Sequence, residues 1–181
     1  MKHIIRAAAA PWSDGLKLIS LAVTVGIVGG ELWGATQFRL PASAIRYEVI
    51  GAALIAPLVL IVCITAIVRE FVIDHGVLQV RRPFWSTRIP LDGLQHAWVE
   101  EAPLKGALRV GGIGGLFSYS GFYQSRRLGR FRLFATTTRN AVVLMLPARV
   151  IVITPVAPHA FVEELRSIFP GLNGGPAPAA K

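Results

Sequence analysis

The longest apolar run in the chain covers residues 49–68 and contains no charged or amide side chain. Arg46 and Glu48 precede this run, and Arg69 and Glu70 follow it. Because an α-helix rises about 1.5 Å per residue, roughly 20 apolar residues cross the ~30 Å hydrocarbon core of a bilayer. The run therefore predicts a transmembrane helix over residues 49–68. A buried core helix is the alternative, although core helices of this length seldom lack a polar face.

An earlier apolar segment, residues 16–35, has a shorter uncharged centre between Leu18 and Gly30. Lys17 can extend its charged end out of the membrane on one side, and Trp33 lies where an interfacial anchor is expected on the other. We therefore predict a first transmembrane helix over residues 16–35. A secretory signal peptide is the alternative, but no small-residue cleavage motif follows the segment.

Small residues form a stripe on each predicted helix. Gly26, Gly30 and Gly34 recur at every fourth position of the first helix, and Ala52 and Ala56 offer a similar surface on the second. Faces of this kind let helix backbones approach closely in lipid. We predict that the two helices of one chain pack through these residues, with homodimerisation as the alternative.

The distribution of basic residues predicts the side of the membrane that each segment occupies. Basic residues precede the first helix and cluster after the second, whereas the intervening loop carries only two arginines. Because cytoplasmic segments carry the excess of Lys and Arg, both chain ends are predicted to be cytoplasmic. The predicted organisation is a cytoplasmic N-terminus (1–15), a first helix (16–35), an extracytoplasmic loop (36–48), a second helix (49–68), a domain (69–170) and a disordered tail (171–181).

Beyond Arg69 the apolar positions alternate, as they do in half-buried β-strands. The predicted strands are Phe71–Ile73, Gly76–Arg82, Trp85–Ile89, Gln95–Val99, Phe117–Tyr123, Gly129–Thr137, Ala141–Leu146 and Val150–Thr154. After them, Phe161, Leu165, Ile168 and Phe169 recur at helical spacing and predict an amphipathic helix. Seven or so strands followed by one helix predict antiparallel sheets that close into a small barrel or sandwich, capped by that helix.

The order of these elements and several short motifs resemble the bacterial pleckstrin homology (PH) domain family. The motifs are SYSG at 118–121, LGRF at 128–131, a Thr-rich turn at 136–138 and TPVAPHAFV at 154–162. The resemblance covers residues 71–169. It implies an all-β barrel of about seven antiparallel strands in two near-orthogonal sheets, plugged by the C-terminal helix. It also implies attachment to the bacterial cytoplasmic membrane and no enzymatic activity.

The net charge of the chain is +9, and the part from residue 69 onward carries 14 Lys and Arg against 7 Asp and Glu. A basic domain beside a bilayer meets the negative potential of the cytoplasmic leaflet, which attracts each basic side chain by about 1 kcal/mol. Nucleic acid is the alternative partner of a basic protein. Because the basic residues are scattered among strands, we expect no nucleic-acid binding.

A first group of arginines, Arg81, Arg82 and Arg88, is a candidate contact for anionic lipid or a partner. Phosphoinositide-binding members of the wider PH superfamily carry basic residues in the corresponding hairpin. Here the intervening segment PFWST contains none. A defined inositol phosphate site is therefore not expected, and a diffuse attraction to anionic lipid is the simpler interpretation. A solvated strand surface is the alternative.

The densest basic group consists of Arg126, Arg127, Arg130 and Arg132. Arg130 and Arg132 are two residues apart in a predicted strand and should share one face, whereas Arg126 and Arg127 should lie in the adjoining turn. We predict that this hairpin contacts anionic headgroups or an acidic partner, with ordinary surface charge as the alternative.

The sequence offers no catalytic, metal or cofactor site. The glycines between Gly111 and Gly115 lack the Lys and Ser/Thr that follow a phosphate-binding loop, so they predict a flexible loop or a bulge where backbones come close. Glu100 and Glu101 should point to opposite faces of a strand and cannot act together. Cys63 is the only cysteine, and the four histidines are far apart in the sequence, so neither a disulfide nor a metal site is expected.

We therefore expect a membrane-anchored, non-catalytic protein that docks a protein partner or organises protein at the cytoplasmic membrane surface. The alternatives are an anionic-lipid-sensing module, which the basic domain favours, and an accessory subunit of a larger transporter or enzyme, which the glycine stripe favours.

Overall fold

A computed structural model describes residues 4–37, 47–173 and 175 of the chain. The elements follow one another as β1 (Ile5–Ala8), α1 (Asp14–Gln37), α2 (Tyr47–Thr65), β2 (Glu70–Asp74), β3 (Val77–Arg81), β4 (Ser86–Pro90), β5 (His96–Glu100), β6 (Leu108–Leu116), β7 (Ser118–Ser125), β8 (Gly129–Ala135), β9 (Ala141–Leu146), β10 (Arg149–Ile153) and α3 (Pro158–Ile168). All the predicted strands and the C-terminal helix are present.

The two long helices, α1 and α2, contact each other and separate β1 from the other strands. Ser13 caps α1, since its Oγ accepts a hydrogen bond from the backbone nitrogen of Leu16 at 3.3 Å. Within the described residues, one helix, Asp14–Gly34, is long and apolar enough to cross a membrane, and 11% of its apolar window is buried. A core helix of a soluble protein would be mostly buried. The second predicted span, residues 49–68, is not a candidate by the same criteria over the residues that the structure describes, so the predicted pair of spans is not shown.

The side chains at the start of α2, including those of Ala52 and Ala56, lie outside the described residues, and so does most of the predicted loop 36–48. A Cβ atom built on Gly26, Gly30 or Gly34 would meet no described atom within 4 Å. The predicted packing of this stripe against Ala52 and Ala56 stays a prediction, because those two side chains lie outside the described residues.

The smaller sheet has the strand order β1-β2-β3-β4, and all its pairs are antiparallel. Its first strand lies within residues 1–15, where the sequence analysis predicted a cytoplasmic N-terminus and no strand. Ile5 pairs with Ile73 and Ala8 pairs with Glu70. The sequence Ile5–Ala8 has no clear alternation, and its partner lies beyond both helices, so the local pattern contains no indication of this pairing.

On its other side, the N-terminal segment joins the two sheets. The backbone nitrogen of Val156 donates to the carbonyl of Ala8 at 3.0 Å, and that of Ala10 donates to the carbonyl of Thr154 at 2.8 Å. Residues that precede α1 thus close the seam between the smaller sheet and the end of β10.

The larger sheet has the order β5-β9-β10-β8-β7-β6, in which only the β10–β8 pair is parallel. Its edge strand β6 was predicted as a flexible loop or bulge, and bulges are present in its pairing with β7. A Cβ atom on Gly112 would collide with the backbone of Ser120, and one on Gly121 would collide with that of Gly111. Glycine is required here because the two backbones come close, as the sequence suggested.

The larger sheet is buried on both faces. One face packs against the smaller sheet and α3 in a cluster that includes Phe71, Phe134 and Leu165. The opposite face packs in a second cluster that includes Trp98 and Phe131. The predicted apolar face of the last helix is confirmed, since its four apolar residues all belong to or pack against the first cluster. The all-β fold with a C-terminal helix is likewise confirmed. The described residues form ten strands rather than about seven, because β1 and β6 were not predicted as strands, and the β10–β8 pair is parallel rather than antiparallel.

The predicted disordered tail begins with a packed segment. Leu172 packs against the first core cluster, and Asn173 forms a parallel bridge with His96. The prediction overlooked Leu172 as an apolar residue that could be buried. Residue 174 and residues 176–181 lie outside the described residues.

Candidate functional site

The strands of the domain have one end beside the helices and one end remote from them. Trp85, in the β3–β4 loop, donates from Nε1 to the carbonyl of Thr65 at 3.1 Å. Ser118, at the start of β7, donates from Oγ to the carbonyl of Ala66 at 3.2 Å. Thr136, just after β8, donates from Oγ1 to the carbonyl of Ala10 at 2.5 Å. We call this end the helix-proximal end of the domain.

Two of the candidate arginines lie at the remote end. Arg126 and Arg127 follow β7, whose 8 residues extend about 25 Å from the helix-proximal end. Arg127 forms an ion pair with Glu100 at 2.6 Å. In this position the two side chains are far from the helix ends. The predicted contact of this hairpin with anionic headgroups or an acidic partner stays a prediction.

The three arginines of the first group, Arg81, Arg82 and Arg88, lie in different environments. Arg81 forms an ion pair with Glu70 at 2.7 Å and Arg88 is exposed on β4, so both have ordinary surface environments. Arg82 differs, because only 8% of it is exposed. Its Nη1 donates to the hydroxyl of Thr87 at 2.7 Å, whereas its buried Nε has no partner among the described residues.

Aromatic rings surround the buried guanidinium of Arg82. Its Cζ lies 4.2 Å from the ring centroid of Trp85 and 5.3 Å from that of Phe134. The pKa of Arg82 is lowered to about 10, mainly by burial and to a lesser extent by the nearby positive charge of Arg132. A guanidinium this deeply buried is normally paired with a carboxylate. No described carboxylate forms an ion pair with Arg82.

The stacking of arginines on rings continues from Arg82 along β8 and β7. Arg132 lies 4.9 Å from the centroid of Phe134 and 5.5 Å from that of Phe122, and Arg130 lies 5.6 Å from the centroid of Phe122. The prediction that Arg130 and Arg132 share one face is confirmed by their common ring. We call the series Trp85, Arg82, Phe134, Arg132, Phe122 and Arg130 the ladder.

A cavity of about 330 Å³ lies at the remote part of the ladder. Its charged lining residues are Arg130, Arg132 and Arg149, and no acidic residue is among the described residues that line it. Arg149 donates from Nη2 to the carbonyl of Pro90 at 2.7 Å, so the turn before β10 is attached to the end of β4. In the described part of the chain, β4 pairs only with β3, and its other edge is open beside this cavity.

The chemistry of the ladder and the cavity is that of an anion-binding surface. Guanidinium groups donate several hydrogen bonds in a fixed geometry that matches carboxylates and phosphates. Within the described residues, Arg130 and Arg132 have aromatic contacts but no carboxylate partner. Histidine, cysteine and carboxylate side chains form no described group of three that could hold a metal ion.

The sequence analysis found some of these residues and missed others. The alternation of Arg130 and Arg132 within one strand was recognisable. Phe122 lies directly opposite Arg132 in the β7–β8 register, which the hairpin pattern could have indicated. Arg149 could not be assigned, because it reaches the cavity only through the parallel pairing of β10 with β8.

These features agree with the comparison of the chain with known protein families. The model of the bacterial PH domain family matches residues 69–168, and the chain belongs to this family. PH domains are generally non-catalytic modules that bind proteins or lipids. No curated protein and no solved structure matches the chain.

Proposed function

We propose that this protein is a two-span membrane protein of the bacterial cytoplasmic membrane whose PH domain binds an acidic segment of a protein partner. The observation that carries the binding function is the cavity at the open edge of β4, whose described lining includes three arginines and no carboxylate. The protein has no enzymatic role in this proposal.

The N-terminal strand supports two membrane spans. β1 precedes α1 and pairs with β2, which follows α2. Both strands must therefore lie on the same side of a membrane, so a chain that crosses it in α1 must return through α2. The same pairing opposes the signal peptide alternative, because cleavage after α1 would remove a strand of the barrel.

The basic residues around the helices support a cytoplasmic location for the domain. Arg6 precedes α1, and Arg69, Arg81 and Arg88 follow α2 on the same side. A cysteine in place of Ser43, in the loop between the helices, tests the topology in a Cys63→Ala background. A membrane-impermeant thiol reagent applied to intact cells should label this cysteine but not one placed at Arg126. Labelling of both positions, or of position 126 alone, would contradict the topology.

The position of the cavity favours a protein partner over a lipid headgroup. Arg130 lies five residues before Ala135 on β8, a distance of about 17 Å along the strand from the helix-proximal end. The headgroup region adds only about 5–8 Å to each side of the hydrocarbon core. A carboxylate-bearing segment of a partner can reach the cavity, and the open edge of β4 offers it backbone hydrogen bonds.

Purification from native membranes tests this function. The full-length protein and its Arg132→Gln and Arg126→Gln variants would be extracted in mild detergent, and co-purifying proteins would be quantified by mass spectrometry. Both substitutions remove one positive charge, but only Arg132 lines the cavity. We expect a stoichiometric partner with the wild type and with Arg126→Gln, and its loss with Arg132→Gln. Equal retention by the three proteins would refute the role of the cavity, and the absence of a partner from the wild type would refute the docking function.

Binding of anionic lipid is a second candidate function, favoured by the buried Arg82 at the helix-proximal end. Its signature would be enrichment of anionic phospholipid in the purified protein that is reduced by Arg82→Gln. Salt should reduce the part of this enrichment that depends on the exposed basic residues, since exposed charges are screened over about 8 Å at physiological ionic strength. Lipid enrichment without a protein partner would favour this function over the first.

A further inference from the structure

Two large aromatic side chains are exposed in the short β3–β4 loop. Phe84 is 80% exposed and Trp85 is 51% exposed. The domain already buries many other aromatic and aliphatic residues in two core clusters. The exposure of Phe84 and Trp85 is therefore not explained by a core that is too small to hold them. Adjacent exposed aromatic residues on one loop are typical of an interaction surface rather than of scattered surface apolar residues.

Several contacts hold this loop in one conformation. The backbone nitrogen of Arg82 donates to the carbonyl of Trp85 at 2.9 Å, and the guanidinium of Arg82 stacks on the Trp85 ring. The hydrogen bond from Trp85 Nε1 to the carbonyl of Thr65 joins the loop to the last residue of α2. The loop is therefore fixed at the level where the second proposed span ends.

We propose that Phe84 and Trp85 insert into the interfacial region of the same bilayer that α1 and α2 cross, and thereby fix the orientation of the domain on the membrane. This inference rests on the two-span anchor proposed above. Trp is enriched at the membrane–water interface because its ring is apolar and its N–H is polar. The polar N–H of Trp85 already has its partner, which leaves the apolar part of the ring and the whole Phe84 ring to meet lipid.

The surroundings of the loop favour a bilayer as the occupant of this surface. Arg81 and Arg88 are exposed on the strands that flank the loop and can approach lipid phosphates. A second element, the tip of the β6–β7 hairpin, also meets a helix at this end, since the backbone nitrogen of Phe117 donates to Ser20 Oγ at 2.9 Å. Ser20 lies six residues into α1, about 9 Å from its start, so this tip lies at the depth of an interface.

In this placement the ladder runs from the membrane surface towards the cytoplasm. Trp85 would lie at the end next to the membrane, whereas Arg130 and the cavity would lie at the end that faces the cytoplasm. A domain fixed by the loop would present the cavity at a constant height above the membrane, where it would capture partners that also lie at the membrane surface.

Lipid quenching of a site-specific fluorophore tests the inference in the full-length protein. Single cysteines at Phe84, Val25 and Ser125 in a Cys63→Ala background would be labelled with an environment-sensitive dye. The proteins would be reconstituted in phosphatidylcholine nanodiscs with or without brominated acyl chains. Val25 is an exposed residue near the middle of α1, and Ser125 lies at the remote end of β7.

We expect brominated lipid to reduce the emission at positions 84 and 25 and to leave that at position 125 unchanged. Quenching at position 25 without quenching at 84 would overturn this inference while leaving the membrane anchor intact, and it would make the loop a contact for protein instead. The absence of quenching at position 25 would refute the anchor itself. Equal quenching at 84 and 125 would also overturn the inference, because the effect would not depend on the loop.

Discussion

Replacement of the buried Arg82 by methionine should leave the stability of the domain nearly unchanged, although Arg82 is only 8% exposed. Each pKa unit corresponds to about 1.4 kcal/mol, so the lowering of the pKa of Arg82 to about 10 represents a cost of about 3 kcal/mol for keeping the buried guanidinium charged at neutral pH. Because burial disfavours the charged form, this cost is present throughout the range below pH 10 and declines only above it.

Favourable contacts of Arg82 offset this cost. A hydrogen bond from a charged donor, such as that to Thr87, contributes about 1.5–3 kcal/mol. Stacking on the rings of Trp85 and Phe134 adds about 0.5–2 kcal/mol. Methionine loses these contacts but also removes the buried charge, and its flexible side chain can fill the space. We expect the free energy of unfolding to change by no more than about 1 kcal/mol.

The assay is guanidinium chloride unfolding of the full-length protein in detergent micelles, followed by near-ultraviolet circular dichroism. Phe134→Ala provides the comparison, since this ring is 1% exposed and its truncation should cost about 3–5 kcal/mol. A loss of more than about 3 kcal/mol in Arg82→Met would mean that the guanidinium is a net stabilising group. The expectation that the costs and the favourable contacts of Arg82 nearly cancel would then be wrong.

Three further substitutions test the fold. Ile5→Ala should lower the free energy of unfolding by about 2–5 kcal/mol because Ile5 is buried in the barrel. The control, Arg6→Ala at an exposed position of the same strand, should change it by less than about 0.5 kcal/mol. Equal effects of the two substitutions in thermal unfolding would argue against the role of β1. Gly121→Ala should lower the free energy of unfolding by about 1–3 kcal/mol, because the added Cβ atom would collide with the facing backbone. Its control is Gly171→Ala, where a Cβ atom meets no described atom within 4 Å. Similar melting temperatures of the two variants would contradict the close approach of β6 and β7. Gly30→Ala should not lower the unfolding midpoint, because a Cβ atom there meets no described atom within 4 Å. A lower midpoint would mean that the stripe packs within the chain.

Local periodicity was sufficient to predict the strands from β2 to β5, from β7 to β10, and α3. In these elements one or both faces are buried, so the apolar pattern follows the structure directly. It was also sufficient for the hairpin that places Arg130 and Arg132 on one face, because their spacing within a strand determines the face.

The remaining features depend on contacts between distant parts of the chain. β1 is a strand because β2 and the segment after β10 provide partners for its backbone, and the sequence of β1 alone has no strand pattern. The glycine-rich β6 lacks the side chains that would indicate a strand. Arg82 appears from the sequence to be one of several surface arginines. Its burial results from the ring of Trp85 in the same loop and the ring of Phe134 on β8.

Photocrosslinking at Phe122 in native membranes tests the central claim most directly. Phe122 is 45% exposed and lines the cavity between Arg130 and Arg132. A photoreactive phenylalanine derivative at this position should form an adduct with one protein, and Arg132→Gln in the same chain should abolish the adduct. Adducts with lipid alone, or a protein adduct that Arg132→Gln leaves unchanged, would contradict the account of the cavity as a docking site for an acidic partner.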